Sequence, residues 1–410
     1  MEISKKIDNS SLREESDKNN IPIVELLLNK LKIVSQSDKT NYTLFAVCPN
    51  SENVLKAAIY SAKRSNAPIL FAATLNQVDI DRGYTGWTQE DLVRKIKEET
   101  FSINYKGPII IGIDHGGPWA KDIQTIEKWD LNRSMEWIKK SFETAISAGY
   151  DLIHVDPTID IFKKQLEIEV VVERIIELIT SSEKFRKSKK IKPISYEVGT
   201  EEVHGGISDI EIFKKFLWFL KEGLKKNALE YLWPIFVVAK VGTDLQTTVF
   251  DLNIAKEVVQ IAGEYGSYIK GHYTDFVSNL GDYPKTAMGA ANVGPEFTLS
   301  EYEAFAELCK IEEDLYKKNK IGVKSNYIKT LEKAVLNSGR WKKWLRGNEK
   351  DFKSLSKERK EWIIKTGARY VWSFPEVKCS QNLLYKNMSI NGIDAENFIL
   401  INIEKSMDMI

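Results

Sequence analysis

Only four of the 410 residues are histidine: His115, His154, His204 and His272. Each has carboxylates close by in the chain. Asp114 directly precedes His115 in IIIGIDHGGPW, and Asp156 follows His154 by two in DLIHVD. Glu201 and Glu202 stand just before His204 in SYEVGTEEVHGG, and Asp275 follows His272 by three in YIKGHYTD. Neutral imidazole binds divalent metals, and a carboxylate beside the cation can take and return a proton. Asp114 with His115 therefore reads as an acid next to a metal ligand or, equally, as a histidine satisfied by hydrogen bonds at a strand end. His272 is the second metal candidate. Glu201 or Glu202 can complete a metal site or act as a base, while Glu197 in the same segment can be satisfied internally. His204, before two glycines, can equally belong to a surface loop. His154 and Asp156 are two apart, which aims both side chains to one side of a strand; facing a barrel interior, His154 is then a core residue or a support for the site.

Residues so far apart meet only if the elements carrying them end at one place. Eight short apolar runs alternate with longer stretches of helical period, at residues 42–49, 68–74, 108–113, 151–156, 193–198, 234–240, 267–271 and 286–293. The first seven suit strands buried on both faces, and most are followed by a segment long enough for a crossover helix. This pattern predicts a parallel (β/α)8 barrel of the TIM type, whose site lies at the carboxyl ends of the strands. All four histidines fall within or just past a predicted strand. A lead-in helix is expected over 22–32. Ser208 with Glu211 has capping-box spacing ahead of Phe213, Phe216, Leu217, Leu220 and Leu224 on one helical face, and Ser300 with Glu303 is expected to open the helix after the eighth strand. The expected domains are a polar tail over 1–20, the barrel over 21–318, and a helical extension over 319–410 packed on the barrel. Within the extension, helices are expected over 325–337 and 357–366, flanking RWKKWLRG.

Lysine plus arginine number 59 against 58 aspartate plus glutamate, so no global field would hold nucleic acid or an anionic membrane. The basic run FRKSKKIK reads as a solvated connection. Unbroken apolar runs are far shorter than the roughly 20 residues needed to cross a bilayer. Three cysteines without close spacing, and a polar start without an apolar core, fit a soluble chain in a reducing cytoplasm. There is no nucleophile elbow, Walker sequence or GxGxxG after the first strand, which leaves acyl-enzyme chemistry and nucleotide binding unsupported.

Six ordered segments carry a family resemblance: AATLNQVDIDRGYTGWT, GIDHGGP, DLIHVDPT, VGTE before a Gly-Gly pair, GHYTD and VGPEFT. Together they resemble the GatZ/KbaZ-type component of D-tagatose-1,6-bisphosphate aldolase, which belongs with the class II, metal-dependent ketose-bisphosphate aldolases. RWKKW and ARYVW extend the likeness past the barrel. The resemblance implies retro-aldol cleavage or condensation of a ketose phosphate such as tagatose 1,6-bisphosphate, with a divalent metal, zinc being the expected one. It implies Asp114 as proton donor and acceptor, His115 and His272 as metal ligands, and Glu201 as the fifth-strand carboxylate with a ligand or catalytic role. Asn76 and Gln77 would contact the sugar, joined by His154, Asp156, Lys240 and Asp275 as substrate-binding candidates. Two other activities fit the same resemblance: a ketose C4 epimerase using the same step, or a non-catalytic subunit stabilising a catalytic class II aldolase chain. A homo-oligomer is also expected. The sequence departs from the family at VAKVGTD, where the sixth strand ends without the histidine that catalytic class II aldolases place there, and at Leu75, Trp87 and Glu202-Val203-His204.

Overall fold

Every one of the eight apolar runs forms a strand in the computed structural model, which describes residues 9–199, 208–243, 249–347 and 349–410. The strands are β1 (Leu44–Val47), β2 (Ile69–Thr74), β3 (Ile109–Gly116), β4 (Leu152–Val155), β5 (Ser195–Gly199), β6 (Phe236–Val238), β7 (Tyr268–Gly271) and β8 (Ala290–Val293). They pair in sequence order, all parallel, and β8 returns to β1, so the sheet closes as a barrel without an edge. The (β/α)8 expectation holds. The chain divides into two compact units: Met1–Cys48, Ala62–Gly83 and Trp87–Val293 form the barrel unit, and Pro49–Ser61, Tyr84–Gly86 and Gly294–Ile410 form a helical unit.

Side chains alternate along a strand, so the register decides what fills the barrel. Pairings such as Leu44 with Ala290, Leu70 with Ile110, Leu152 with Ser195 and Phe236 with Tyr268 set the series. Leu44, Ala46, Leu70, Ala72, Ile110, Leu152, Phe236 and Ala290 share one buried apolar cluster at the amino ends of the strands. Two or four residues further along, the same faces carry Asp114, His154, Glu197, Lys270 and Asn292, each at most 4% exposed. The interior is therefore apolar at one end and ionic at the other.

The amino end is closed by α1 (Asn9–Asn19) and α2 (Ile23–Asp38), whose Leu12, Ile23, Val24, Leu26, Leu27 and Leu28 join that cluster. Fully burying a leucine contributes about 1.5–3 kcal/mol, so these contacts hold α2 on the barrel. The reading of residues 1–20 as a polar tail needs correction over α1. Leu12 is 1% exposed, and Arg13 makes a paired contact with Asp151 at 2.8 and 3.0 Å and a third to the Ile109 carbonyl at 3.0 Å. An isolated apolar residue and an arginine are too sparse a pattern to signal a helix that docks through both.

Helices follow β2 (Gln89–Ser102), β3 (Leu131–Ala148), β4 (Ile168–Ser188), β5 (Ile210–Lys226) and β6 (Leu252–Glu264), whereas β7 and β8 are joined through a 3-10 turn, Leu280–Lys285. Asp209 rather than Ser208 caps Ile210–Lys226, accepting from Ile212 N; the Ser208 hydroxyl accepts from Lys240 N instead. The apolar face of that helix is as read, with Phe213, Phe216, Leu217, Leu220 and Leu224 all buried. The expected start at Ser300 is also displaced. Pro295 opens the helix Pro295–Lys317, because its fixed φ suits a first turn, and Ser300 donates to Glu296 O inside it.

Within the helical unit, Tyr327–Ser338 and Lys357–Gly367 match the expected helices, and Pro375–Ile390 and Ala395–Met407 follow. Trp341, Leu355 and Ile363 make a small core with Leu345, Phe352 and Trp362, so the tryptophans of RWKKWLRG are packing residues in part. Glu312 is buried and satisfied by Ser325 N, Ser325 Oγ and Asn387 Nδ2. No helix among the described residues is long and apolar enough to cross a membrane.

Candidate active site

In a regular strand Asp114 and His115 would face opposite ways. They do not, because β3 is bulged: its register against β4 shifts between Ile113 and Gly116, and His115 adopts φ +50°. Both side chains thus reach the same group, Asp114 within the barrel and His115 over its mouth. The two glycines that follow serve the packing of β3 on β4. A Cβ at Gly116 would lie 2.4 Å from the Phe142 ring and 2.8 Å from His154 O, and one at Gly117 would lie 1.8 Å from Asp156 O. Only glycine permits that approach, which brings His154 and Asp156 alongside His115.

Asp114, His154, Glu197 and His272 place one ligand atom each within 4.8 Å of one another, and all four are buried. At their centre is Lys270, 0% exposed, whose Nζ donates to Glu197 at 2.8 and 2.9 Å and to Asp114 Oδ1 at 3.1 Å. Asn292 Nδ2 donates to Asp114 Oδ2 at 3.0 Å. His154 Nδ1 lies 3.4 Å from Asp114 Oδ1 and 3.3 Å from Glu197 Oε1, while His272 Nε2 is 3.5 Å from the same two oxygens. The backbone N–H of His115 donates to His154 Nδ1 at 3.1 Å. At the rim, His115 Nδ1 meets Asp156 Oδ2 at 2.7 Å, and Asp156 Oδ1 accepts from Thr158 Oγ1 at 2.6 Å. The His115 and His272 rings are 4.6 Å apart, edge to face.

These contacts fix the charge states. Burial raises the Asp114 carboxyl, but Lys270, His272 and His115 outweigh it and hold the group well below the ordinary carboxylate range. Burial likewise opposes ionisation of Glu197, and His154 and Lys270 overcome it, bringing it down to about 2. Burial disfavours a charged His115, yet Asp114 and Asp156 raise it to about 9. His272 has no such surplus: burial dominates and pushes it down to about 4, leaving a neutral ring at pH 7. The group thus offers an ionised acid, an imidazolium at the rim and a neutral imidazole within.

Neither nitrogen of His272 has a hydrogen-bond partner, nor does Nε2 of His154, although all three are buried. Unpaired buried polar atoms are rare and costly. Imidazole and carboxylate donors are the set that divalent zinc and its neighbours take, at about 2.0–2.2 Å. Four such donors already lie within 4.8 Å of one another, with the histidine nitrogens 3.3–3.5 Å from the carboxylate oxygens, so the set fits an ion.

The sequence candidates fare unevenly. Asp114, His115, His154, Asp156 and His272 converge. Asn76 and Gln77 shape the loop after β2: Asn76 bridges Ala120 O and Asp122 N at 2.8 and 3.0 Å, and Gln77 Oε1 accepts from Thr74 N. Lys240 is half-buried beyond β6, and Asp275 is buried at 3% exposure. Glu201, Glu202 and His204 lie outside the described residues. Glu197, assigned above to internal satisfaction, is satisfied by Lys270 inside the site itself. Lys270 and Asn292 went unsingled; the two-residue step from Lys270 to His272 was the signal that both share the inward face of one strand. The loop after β2 owes its shape to a buried Asp79, which accepts from Lys121 Nζ, Gln89 Nε2 and Trp137 Nε1 at 2.6, 3.0 and 3.0 Å.

A sequence profile for "D-tagatose-1,6-bisphosphate aldolase subunit GatZ/KbaZ-like" matches residues 29–402. Among solved structures, a probable tagatose 6 phosphate kinase from Sinorhizobium meliloti 1021 is similar at TM-score 0.73 and 20% identity, over 90% of this chain and 98% of that one. It shares the fold. A fructose-bisphosphate aldolase from Campylobacter jejuni aligns at TM-score 0.44 and 12% identity, over 90% and 95% of the two chains. A fructuronate-tagaturonate epimerase from Cohnella laeviribosi aligns at TM-score 0.48 and 10% identity, over 90% and 81%. Neither of these two is close enough to bear on function.

Proposed function

Because the chain belongs to the D-tagatose-1,6-bisphosphate aldolase subunit GatZ/KbaZ-like family, we propose that its barrel carries out class II-type aldol chemistry on a ketose phosphate such as tagatose 1,6-bisphosphate. The observation that carries this reading is the buried Asp114–His154–Glu197–His272 group at the carboxyl ends of the strands. In the cleavage direction, ionised Asp114 accepts the proton of the hydroxyl on the carbon β to the ketose carbonyl. The bond between the α and β carbons breaks, and its electron pair passes to the carbonyl oxygen. His115, kept protonated by Asp114 and Asp156, returns a proton to the α carbon. Lys270 and Asn292 hold Asp114 in place from below. A divalent ion, zinc in our reading, would be held by His272 with His154, Asp114 and Glu197, and when bound it polarises a carbonyl oxygen as a Lewis acid. Glu201 as base or ligand stays part of the proposal, as do Asn76, Gln77, Lys240 and Asp275 on the substrate side; His115, expected as a ligand, takes the acid role instead. A cytoplasmic setting and a homo-oligomer belong to the same reading.

Purified protein incubated alone with ketose mono- and bisphosphates, with products resolved by chromatography, tests it. Triose products support cleavage, and a C4-inverted ketose identifies the epimerase variant of the same step. A second reading has its own support: β6 continues into Val238-Ala239-Lys240-Val241 without a histidine. Under that reading the chain stabilises a separate catalytic aldolase subunit, and it would show no turnover alone but raise the stability of that partner.

A further inference from the structure

Lys270 stands out as the one group at the centre of the site that the proposed reaction does not use directly. Its Nζ lies 2.8 and 2.9 Å from the two oxygens of Glu197 and 3.1 Å from Asp114 Oδ1. His154 Nδ1 and His272 Nε2 approach Asp114 Oδ1 and Glu197 Oε1 too, at 3.3–3.5 Å. The ammonium and the two imidazoles therefore crowd one pair of carboxylate oxygens. A buried ion pair of purely structural purpose has no need to share its oxygens with His272, neither of whose nitrogens has a hydrogen-bond partner, and with His154, whose Nε2 has none. The three groups also come from three strands, with Asp114 on β3, Glu197 on β5 and Lys270 on β7.

We infer that Lys270 is a cation built into the chain that competes with a divalent ion for Asp114 and Glu197, so that this barrel keeps its acidic group assembled without metal and binds metal more weakly than its donor set alone would. The inference rests on the reading above in one respect only, that the Asp114–His154–Glu197–His272 group is where a divalent ion binds. Its physical basis is the repulsion between an ammonium and a dication within a few ångströms among buried side chains, where screening is slight. The carboxylate oxygens that would face the ion already face the ammonium. Lys270 is thus a positioning residue, since it orients Asp114 and Glu197 and is 0% exposed.

The test is titration of apo protein with Zn2+ by calorimetry, repeated with Co2+ by visible absorption, in wild type and four variants whose folding is checked by circular dichroism. Lys270→Met, which removes the charge and keeps the stem, is expected to bind either ion at least about tenfold more tightly than wild type. Lys270→Arg keeps the cation and should stay near wild type. Lys270→Met combined with Glu197→Gln removes one charge of each sign, needs no counter-ion to fold, and should lose most of the gain. Lys270→Gln, whose amide still donates to Glu197, carries the same expectation as Lys270→Met should the latter fail to fold. Equal or weaker metal binding in a folded, uncharged variant overturns the inference. If wild type already binds tightly and the variants match it, the competition is refuted while the metal-dependent reading survives. If no form binds either ion, both fall.

Discussion

At the residue scale, the site separates a fixed acid from a mobile proton. Asp114 is anchored by Lys270, Asn292 and the shape of the bulge, whereas His115 sits at the rim with 18% of its side chain exposed. Asp114→Asn is expected to cut turnover by about 10²–10⁴-fold. Metal affinity should fall as well, since Asp114 is one of the four residues that would hold the ion, while Glu197 keeps Lys270 paired and the fold intact. Unchanged steady-state rates would remove Asp114 from the reaction. Asp156→Asn should lower His115 from about 9 toward the ordinary histidine value, since it deletes both the hydrogen bond and the charge that favour the imidazolium. The check is the His115 ring resonance followed against pH by NMR; a midpoint that does not move would show that Asp156 does not set the protonation of that ring. The histidine-with-carboxylate pattern located most of this group. It placed Glu197 inside the barrel as a satisfied acid, but it gave no weight to Lys270, because a lysine inside an apolar strand reads as a surface residue until its two acidic partners, 156 and 73 residues away, are known.

At the scale of elements, strand count, order and parallel pairing were legible because buried parallel strands are near-continuous apolar runs. The β3 bulge was not: nothing in IIIGIDHGG distinguishes a bulge from a strand followed by a turn. Gly117→Ala tests its packing. The added Cβ would sit 1.8 Å from Asp156 O, so β4 must shift, and a loss of about 1–3 kcal/mol in denaturant unfolding is expected together with displaced His115 and His154 resonances. A neutral effect on both would mean that the contact between β3 and β4 is looser than described. Helix starts were the least legible features. Both capping-box spacings occur in the sequence, but Ser208 is engaged by Lys240 N and Ser300 lies inside a helix already opened by Pro295. Local spacing loses there to a tertiary partner and to proline geometry.

At the scale of the molecule, the near-zero net charge leaves recognition to local groups, and the family relationship sets the chemistry to look for rather than proving it. One buried acid of the helical unit gives the chain a pH signature apart from catalysis. Burial raises the Glu301 carboxyl to about 7, although Ser51, Asn53 and Lys378 oppose the shift. The folded chain therefore holds that proton more tightly than the unfolded one. Its contribution to stability is full below the ordinary value of 4.5, declines as pH rises toward 7 and is gone above it, a loss on the order of a few kcal/mol. Denaturant midpoints measured from pH 5 to 8 should fall for wild type and run flatter for Glu301→Gln; parallel slopes would place the acid's proton elsewhere. The plug formed by α1 and α2 has a different kind of consequence. It is the earliest described segment of the chain, yet its apolar contacts include residues from β1 through β8. During synthesis these helices precede every strand and stay unburied until β8 has been made, so they are among the last pieces of the barrel to find their place and a binding point for a chaperone in the interval.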